Sequence, residues 1–186
     1  IVRINSQSGK GGVAFVMDTY FGYKLPKGMH KEFADKIQKI AEGQGEVAPE
    51  QIMEEFKKEY LDQKEPLHFR RMHITDMSGE GKTFETSIEV HYTDHGIERS
   101  FEAVGNGPID AVRRGLHQNL GLDVKILDYE EHALQSGSNS QAAAYIHLLD
   151  SNSGNVTYGV GVSSNITRAS VRAIFSALNR LGLGSR

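Results

Sequence analysis

The feature that most constrains this chain is a repeated order of secondary-structure patterns. Three strand patterns followed by a helical pattern occupy residues 67–120, and the same order returns over residues 124–181. A shift of 59 residues aligns the two helical patterns and matches three identical residue types: Asn106 with Asn165, Val112 with Val171, and Arg113 with Arg172. The repeat predicts an α+β fold in which two βββα units form one pseudo-symmetric domain.

The elements of the two units are predicted from apolar periodicity and from turn residues. In the first unit, strands are expected over 67–75, 84–92 and 97–104, and a helix over 108–120. In the second unit, strands are expected over 124–134, 142–149 and 157–162, and a helix over 166–181. Each unit would leave a sheet with one helix-covered face, and packing the units together would bury both helices.

The first 61 residues are predicted to form a small α-rich subdomain that begins with a short hairpin. Alternating apolar and polar residues lie on both sides of the glycine-rich segment Ser8–Gly12, which indicates two short strands joined by a turn. Beyond Pro26 apolar residues recur at helical spacing until Gly43, and another helix is predicted to begin at Pro49. The polar segment 62–66 ends in a proline and is interpreted as a linker.

The glycine-rich segment also invites comparison with a phosphate-binding loop. A phosphate-binding loop needs a glycine where Ile4 stands and a serine or threonine where Gly11 stands. No helix is predicted directly after it. A hairpin turn is therefore the favoured interpretation, and an anion site is the alternative.

The composition excludes several classes of function. A formal net charge of −3 with both signs interspersed offers no basic field for nucleic acid or anionic lipid. The absence of cysteine excludes disulfides and thiolate chemistry and suits a reducing, cytoplasmic compartment. Neither a membrane-spanning apolar run nor a signal peptide is recognisable, and the chain opens without a methionine, so we expect a piece of a larger soluble protein.

The segment Gly105–Asp110 is the most informative local string. It joins a strand to a helix through glycines, and Pro108 fits the first helical turn. The free backbone N–H groups of that turn, together with the positive end of the helix dipole, suit a carboxylate such as that of a free amino acid. A tight strand-to-helix connection without a ligand explains the same spacing.

The segment Asp128–His132 is the main candidate for metal or acid–base chemistry. On a strand, Asp128, Glu130 and His132 would share one face, and Tyr129 and Glu131 the other. A metal site would need a further ligand from elsewhere, so solvated strand charges are the favoured interpretation. No catalytic triad or nucleophile elbow is recognisable, and neither catalytic residues nor metal ligands are predicted in this chain.

The segment Gln141–Tyr145 places three alanines inside a predicted strand. Strands normally favour bulkier residues, so another group is expected to approach closely here. That group is a packed helix or partner chain on one interpretation, and a branched apolar ligand on the other.

Several strings, in this order and spacing, closely resemble the C-terminal part of the 2-isopropylmalate synthase family, in its longer-chain branch. The strings cover residues 3–12, 37–43, 105–108, 127–129, 131–133, 141–145, 159–162 and 176–180. The resemblance implies a linker subdomain over residues 1–63 and a regulatory domain over residues 64–186, which dimerises and binds leucine as a feedback inhibitor. It also implies a catalytic barrel outside this chain, which holds a divalent metal and condenses acetyl-CoA with 2-oxoisovalerate; no cofactor is expected in the chain itself.

Carried onto this sequence, the resemblance implies a leucine-binding set at a homodimer interface. Its members come from the predicted helix start, the fourth strand and the turn that follows: Asn106, Gly107, Pro108, Ile109, Ile126, Tyr129, Ala133, Ser140 and Ala142. Ser140 stands where a related pocket has alanine, and Asp110 replaces a small residue. The alternatives are the regulatory domain of a related citramalate or homocitrate synthase, and a dimerisation module without effector binding. An independent small enzyme is the least favoured interpretation.

Overall fold

The computed structural model describes residues 3–5, 9–79, 81, 83–134 and 140–184. Its elements, in chain order, are α1 (Lys10–Phe21), α2 (Lys27–Gln44), α3 (Pro49–Phe56) with a π-helical turn (Lys57–Leu61), β1 (Leu67–Asp76), β2 (Thr86–Asp94), β3 (Ile97–Gly105), α4 (Pro108–Leu120), β4 (Val124–Leu134), β5 (Gln141–Asp150), β6 (Val156–Ser163) and α5 (Ile166–Arg180).

The duplicated architecture is confirmed. Strands β1–β2–β3 and β4–β5–β6 form two antiparallel three-stranded sheets, and each sheet is followed by a helix. Helix α4 packs on β2 and β3, whereas α5 packs on β5 and β6 and also contacts β1. The two helices contact each other, so the apolar face of each sheet is covered at a shared core.

The predicted N-terminal hairpin is wrong, because its second arm belongs to α1. Val13, Val16 and Met17 are buried at helical spacing, while Phe15, which suggested alternation, is 53% exposed. A helix therefore begins directly at Lys10, contrary to the expectation for the glycine-rich segment. Part of the first arm, residues 1, 2 and 6–8, lies outside the described residues; Ile4 pairs with Val47 in an isolated antiparallel bridge.

Both units carry a β-bulge at the same place in their first strand. The pairing register shifts around Arg70 in β1 and around Leu127 in β4, and each is the fourth residue of its strand. A bulge inserts one unpaired residue and reverses the facing of the residues beyond it. Its recurrence supports the internal duplication independently of the sequence identities.

The α-rich subdomain packs on the second sheet, which is consequently covered on both faces. Its core includes Tyr145 and Val160 on one face of the sheet, while Ala144 and Ile146 on the other face join the core shared with α5. The expectation of one helix-covered face per sheet therefore holds only for β1–β2–β3.

The alanine run of β5 is explained by this double packing. Ala143 is fully buried against the α-rich subdomain, and Ala144 is fully buried against the core that contains α5. Small side chains are needed because helices approach the sheet from both sides. The packing interpretation is confirmed for these two alanines, whereas Ala142 is only half-buried.

The C-terminal turn of α5 fastens the subdomain to the rest of the chain. Arg180 forms ion pairs of 2.8 Å with Glu32 of α2 and with Glu59 of the π-helical turn, and its guanidinium lies 4.2 Å from the ring centre of Tyr60. Ser176 donates a hydrogen bond of 2.6 Å to the backbone carbonyl of Tyr60. A displacement of α5 is therefore communicated directly to the α-rich subdomain.

Candidate effector site

The N-terminus of α4 has the open backbone that its glycines predicted. Gly107 precedes the helix at φ 156° and ψ 170°, a conformation that is essentially restricted to glycine, and no atom lies within 4 Å of the position a Cβ would take. Pro108 occupies the first helical turn. Another group can therefore approach the backbone closely at Gly107.

Asp110 occupies part of this helix start. Its Oδ2 accepts a hydrogen bond of 2.9 Å from the backbone N–H of Asn106, and its carboxylate pairs with Arg113 and Arg114 at 2.9 Å each. The N–H of Asn106 is therefore already used by the chain. One carboxylate with two guanidinium groups leaves a net positive charge at the helix start, where the helix dipole adds to it.

The same contacts set the ionisation of Asp110. Burial raises its pKa, but the Asn106 N–H and the two arginines outweigh this effect and lower the pKa to about 2. Because the folded-state pKa lies below the ordinary value of 3.8, the resulting stabilisation is present above that value and is lost as the pH falls towards 2.

This ionisation leads to a pH-dependent prediction. Asp110→Asn should lower the free energy of unfolding by about 1 kcal/mol at neutral pH, and the difference from the native chain should disappear near pH 2. Urea unfolding followed by circular dichroism at both pH values would measure it. Asp35→Asn, which removes an exposed ion pair with Lys31, is the control and should change stability by only a few tenths of a kcal/mol. An unchanged Asp110→Asn deficit at low pH would contradict the assignment.

Strand β4 supplies a second group of predicted site residues. Because Leu127 is the bulged residue, Ile126 and Tyr129 both pack at the margin of the core shared by the two helices, as Ile109 of α4 does. The Tyr129 hydroxyl lies 2.9 Å from Ser170 Oγ on α5 and also donates to Glu131. Burial and Glu131 raise the pKa of Tyr129 to about 12, so the phenol is neutral at physiological pH.

The remaining predicted residues lie where β4 connects to β5, at the loop end of that hairpin. Ala133 and Ala142 are directly paired across the two strands, and Ser140 is exposed just before β5. The intervening residues 135–139 lie outside the described part of the chain. Helix α4 contacts β4. That all nine predicted residues line one pocket stays a prediction.

Ser170 is a contact that the sequence reasoning missed. It is 2% exposed, its hydroxyl donates to the carbonyl of Ile166, and its Oγ contacts the Tyr129 hydroxyl. A serine on the apolar face of a predicted helix, aligned with Ala111 of the first unit, was the available signal. The phenol of Tyr129 thus links the β4 wall to α5.

The charged side chains of β4 divide between the two faces of the sheet. His132 faces the α-rich subdomain: its Nε2 accepts from the Lys24 N–H at 3.1 Å and lies 2.8 Å from the Tyr145 hydroxyl. Its Nδ1 lies 2.9 Å from the carbonyl of Ala133. His132 therefore connects β4 to the α-rich subdomain.

Within the described residues, no group of three or more histidine, aspartate or glutamate side chains is arranged to hold a metal.

The helices give no indication of a membrane segment. Over the described ranges, none combines the length and apolar character needed to cross a bilayer.

The fold and the candidate site define a duplicated βββα domain with an open helix start beside a bulged strand. The chain belongs to the family described as the LeuA allosteric (dimerisation) domain, which matches residues 46–182. It is thus a regulatory and dimerisation domain.

Its relatives include proteins named 2-isopropylmalate synthase from three bacteria. The match to the Clostridium acetobutylicum protein is 42% identical over 182 residues and covers 97% of this chain and 32% of the relative. The Mycobacterium leprae protein is 41% identical over 181 residues, with 97% and 29% covered, and the Brucella suis protein is 38% identical over 184 residues, with 97% and 32% covered. The chain spans about a third of the length of these relatives.

Proposed function

We propose that this chain senses L-leucine at the interface between two copies of itself and inhibits a 2-isopropylmalate synthase by feedback. The condensation of acetyl-CoA with 2-oxoisovalerate would take place in a metal-dependent barrel domain of the same synthase, outside this chain. The family description as allosteric and dimerising, and the names of the relatives, support the regulatory role. The open helix start at Gly107 is the observation that carries leucine binding.

The helix start suits the carboxylate of an amino acid. Gly107 has no side chain to block a carboxylate that approaches the helix start. The pairing of Asp110 with Arg113 and Arg114 leaves a net positive charge nearby. Backbone N–H groups at a helix N-terminus add a favourable dipole for an anion. The carboxylate would therefore be held by charge and by backbone hydrogen bonds together.

The apolar side chain of leucine would lie against the wall next to this helix. Ile109, Ile126 and Tyr129 present partly buried apolar surface at the margin of one core. Ala133 and Ala142 leave space beyond them because their side chains are small. Burying a branched side chain of this size contributes about 2 kcal/mol.

Inhibition requires that leucine bind one arrangement of the synthase more tightly than another. Residues 1–63 would act as the linker to the catalytic domain, since the α-rich subdomain is fastened to α5 through Arg180 and Ser176. Tyr129, which would touch the effector, contacts the same helix at Ser170. A coupling of about 1–3 kcal/mol is typical of allosteric proteins.

Gly107→Asp tests the proposal. At a leucine concentration about ten times the Kd, leucine should raise the stability of the native chain by about 1.4 kcal/mol, and this gain should be lost in the variant. Thermal unfolding with and without L-leucine measures the gain, and analytical ultracentrifugation checks that the dimer persists.

The matched control is Gly121→Asp, at the opposite end of α4. Gly121 has φ 69°, and no atom lies within 4 Å of the point where a Cβ would stand, so the same side chain is introduced at a positive-φ glycine away from the site, with a smaller backbone strain. This variant should be destabilised but should keep the full leucine-dependent gain. A gain that survives in Gly107→Asp would contradict the proposed site, and a gain with isoleucine instead of leucine would assign the domain to a related synthase.

A further inference from the structure

A separate cavity of about 310 Å³ lies where the α-rich subdomain meets β1, β6 and α5. None of the nine predicted leucine-binding residues lines it. Its apolar wall includes Phe69, Val162 and Phe175, and its polar lining includes Lys64, His68 and Arg172. The volume is at the lower end of the range of small-molecule pockets, about 300–1,000 Å³, which fits a small metabolite.

The internal duplication shows that Arg172 lacks the partner its counterpart has. Arg113 of the first unit pairs with Asp110 at 2.9 Å, but the position equivalent to Asp110 in the second unit is Ala169. Arg172 instead donates a hydrogen bond of 2.7 Å to the carbonyl of Val162 at the cavity. Its guanidinium therefore retains donors and charge for another group.

The cavity is electrostatically positive. Across the described ranges, no carboxylate lies within ion-pairing distance of Lys64 or Arg172. Burial, then Arg70 and Lys64, lower the pKa of His68, although Glu65 opposes them, so the cations outweigh the carboxylate at this side chain. Asp62 is the one acidic residue in the lining. An anion without an ammonium group is favoured over a zwitterion here, because the lining cations would repel the ammonium.

We propose that this cavity binds a small aliphatic monocarboxylate, with the carboxylate on Arg172 and Lys64 and the apolar chain against Phe69 and Phe175. Arginine and lysine supply charge-assisted hydrogen bonds, and the aromatic wall excludes water from the apolar chain. The site is distinct from the helix start of α4. A molecule bound there touches both the α-rich subdomain and α5, and it stabilises their contact.

Isothermal titration calorimetry of the chain with 4-methylpentanoate tests the proposal. This probe has the carboxylate and branched carbon chain of leucine without the ammonium group. It should bind at millimolar or lower concentration, and Arg172→Gln should weaken binding by about tenfold. Arg172→Lys should recover part of the loss, since the charge is retained.

Arg168→Gln is the matched control, because Arg168 lies one turn away on α5 and does not line the cavity. It should leave 4-methylpentanoate binding unchanged, as should Gly107→Asp, which separates this site from the leucine site. No binding of 4-methylpentanoate, or equal binding in Arg172→Gln, would overturn the proposal. Inorganic phosphate binding with the same affinity would also overturn it, because the apolar wall would then contribute nothing.

Discussion

Gly159→Ala is expected to lower the free energy of unfolding by about 3 kcal/mol. Gly159 lies on β6 beneath α5, and a Cβ at this position would lie 2.0 Å from the carbonyl oxygen of Ala173 and 2.5 Å from the backbone nitrogen of Ala177. Neither backbone atom can move unless α5 is displaced from the sheet. Urea unfolding monitored by circular dichroism would measure the loss.

Gly43→Ala provides the control for that substitution. Gly43 is exposed in α2, and nothing lies within 4 Å of a Cβ placed there. The added methyl group should raise stability by about 0.5 kcal/mol, because alanine loses less backbone freedom than glycine in a helix. Equal stability of Gly159→Ala and the native chain would show that α5 is not packed on β6 as closely as described.

Asn179→Ala should also cost about 3 kcal/mol. Asn179 is 8% exposed, and its side chain donates to the carbonyls of Gln63 and Leu67 at 2.7 and 2.8 Å and accepts from the Leu67 N–H at 3.1 Å. Truncation leaves backbone groups of the buried Leu67 without these partners. The loss would appear in chemical unfolding and in faster hydrogen exchange of the Leu67 amide.

Asn119→Ala is the corresponding control. Asn119 is exposed on α4, and its side chain donates one hydrogen bond of 2.9 Å to the Gly115 carbonyl. Its removal should change stability by no more than about 0.5 kcal/mol, because water replaces the bond and alanine favours the helix. If both asparagine variants behaved alike, the junction between the subdomain and β1 would not depend on Asn179.

The duplicated part of the fold was predictable from sequence because its boundaries carry local signals. Helix α4 has Pro108 in its first turn and Gly121 in the left-handed conformation at its end, so both limits were predicted as observed. Strand β4 was predicted over its full extent, since the apolar residues at its ends are bounded by turn residues. Local conformational preference and the tertiary structure agree at these places.

Helix α1 could not be predicted because its apolar residues fit two periods. Val13, Phe15 and Met17 alternate as in a strand, whereas Val13, Val16 and Met17 follow a helical stripe. Tertiary packing decides between them: the second set is buried against α2 and α3, and Phe15 is exposed. The glycines beside Lys10 also favoured a turn, although Gly11 and Gly12 lie inside the helix.

The site was predictable only in part. The glycine-specific backbone at the start of α4 follows from the Gly-Asn-Gly-Pro string, but the hydrogen bond from the Asn106 N–H to Asp110 depends on a side-chain geometry that spacing does not fix. The bulge at Leu127, which sets the facing of Tyr129, has no sequence signature of its own. The cavity near Arg172 depends on how the subdomain, β6 and α5 converge, which is a tertiary property.

Strand β5 carries a consequence for how proteins of this family can change over generations. Tyr145 belongs to one hydrophobic core and its neighbour Ile146 to the other, so a single peptide bond separates the two. A mutation that enlarges a side chain in either core pushes on a backbone that both share. Accepted mutations on the two sides of this strand should therefore arise as compensating pairs, and the α-rich subdomain and the duplicated domain should evolve as one inherited unit.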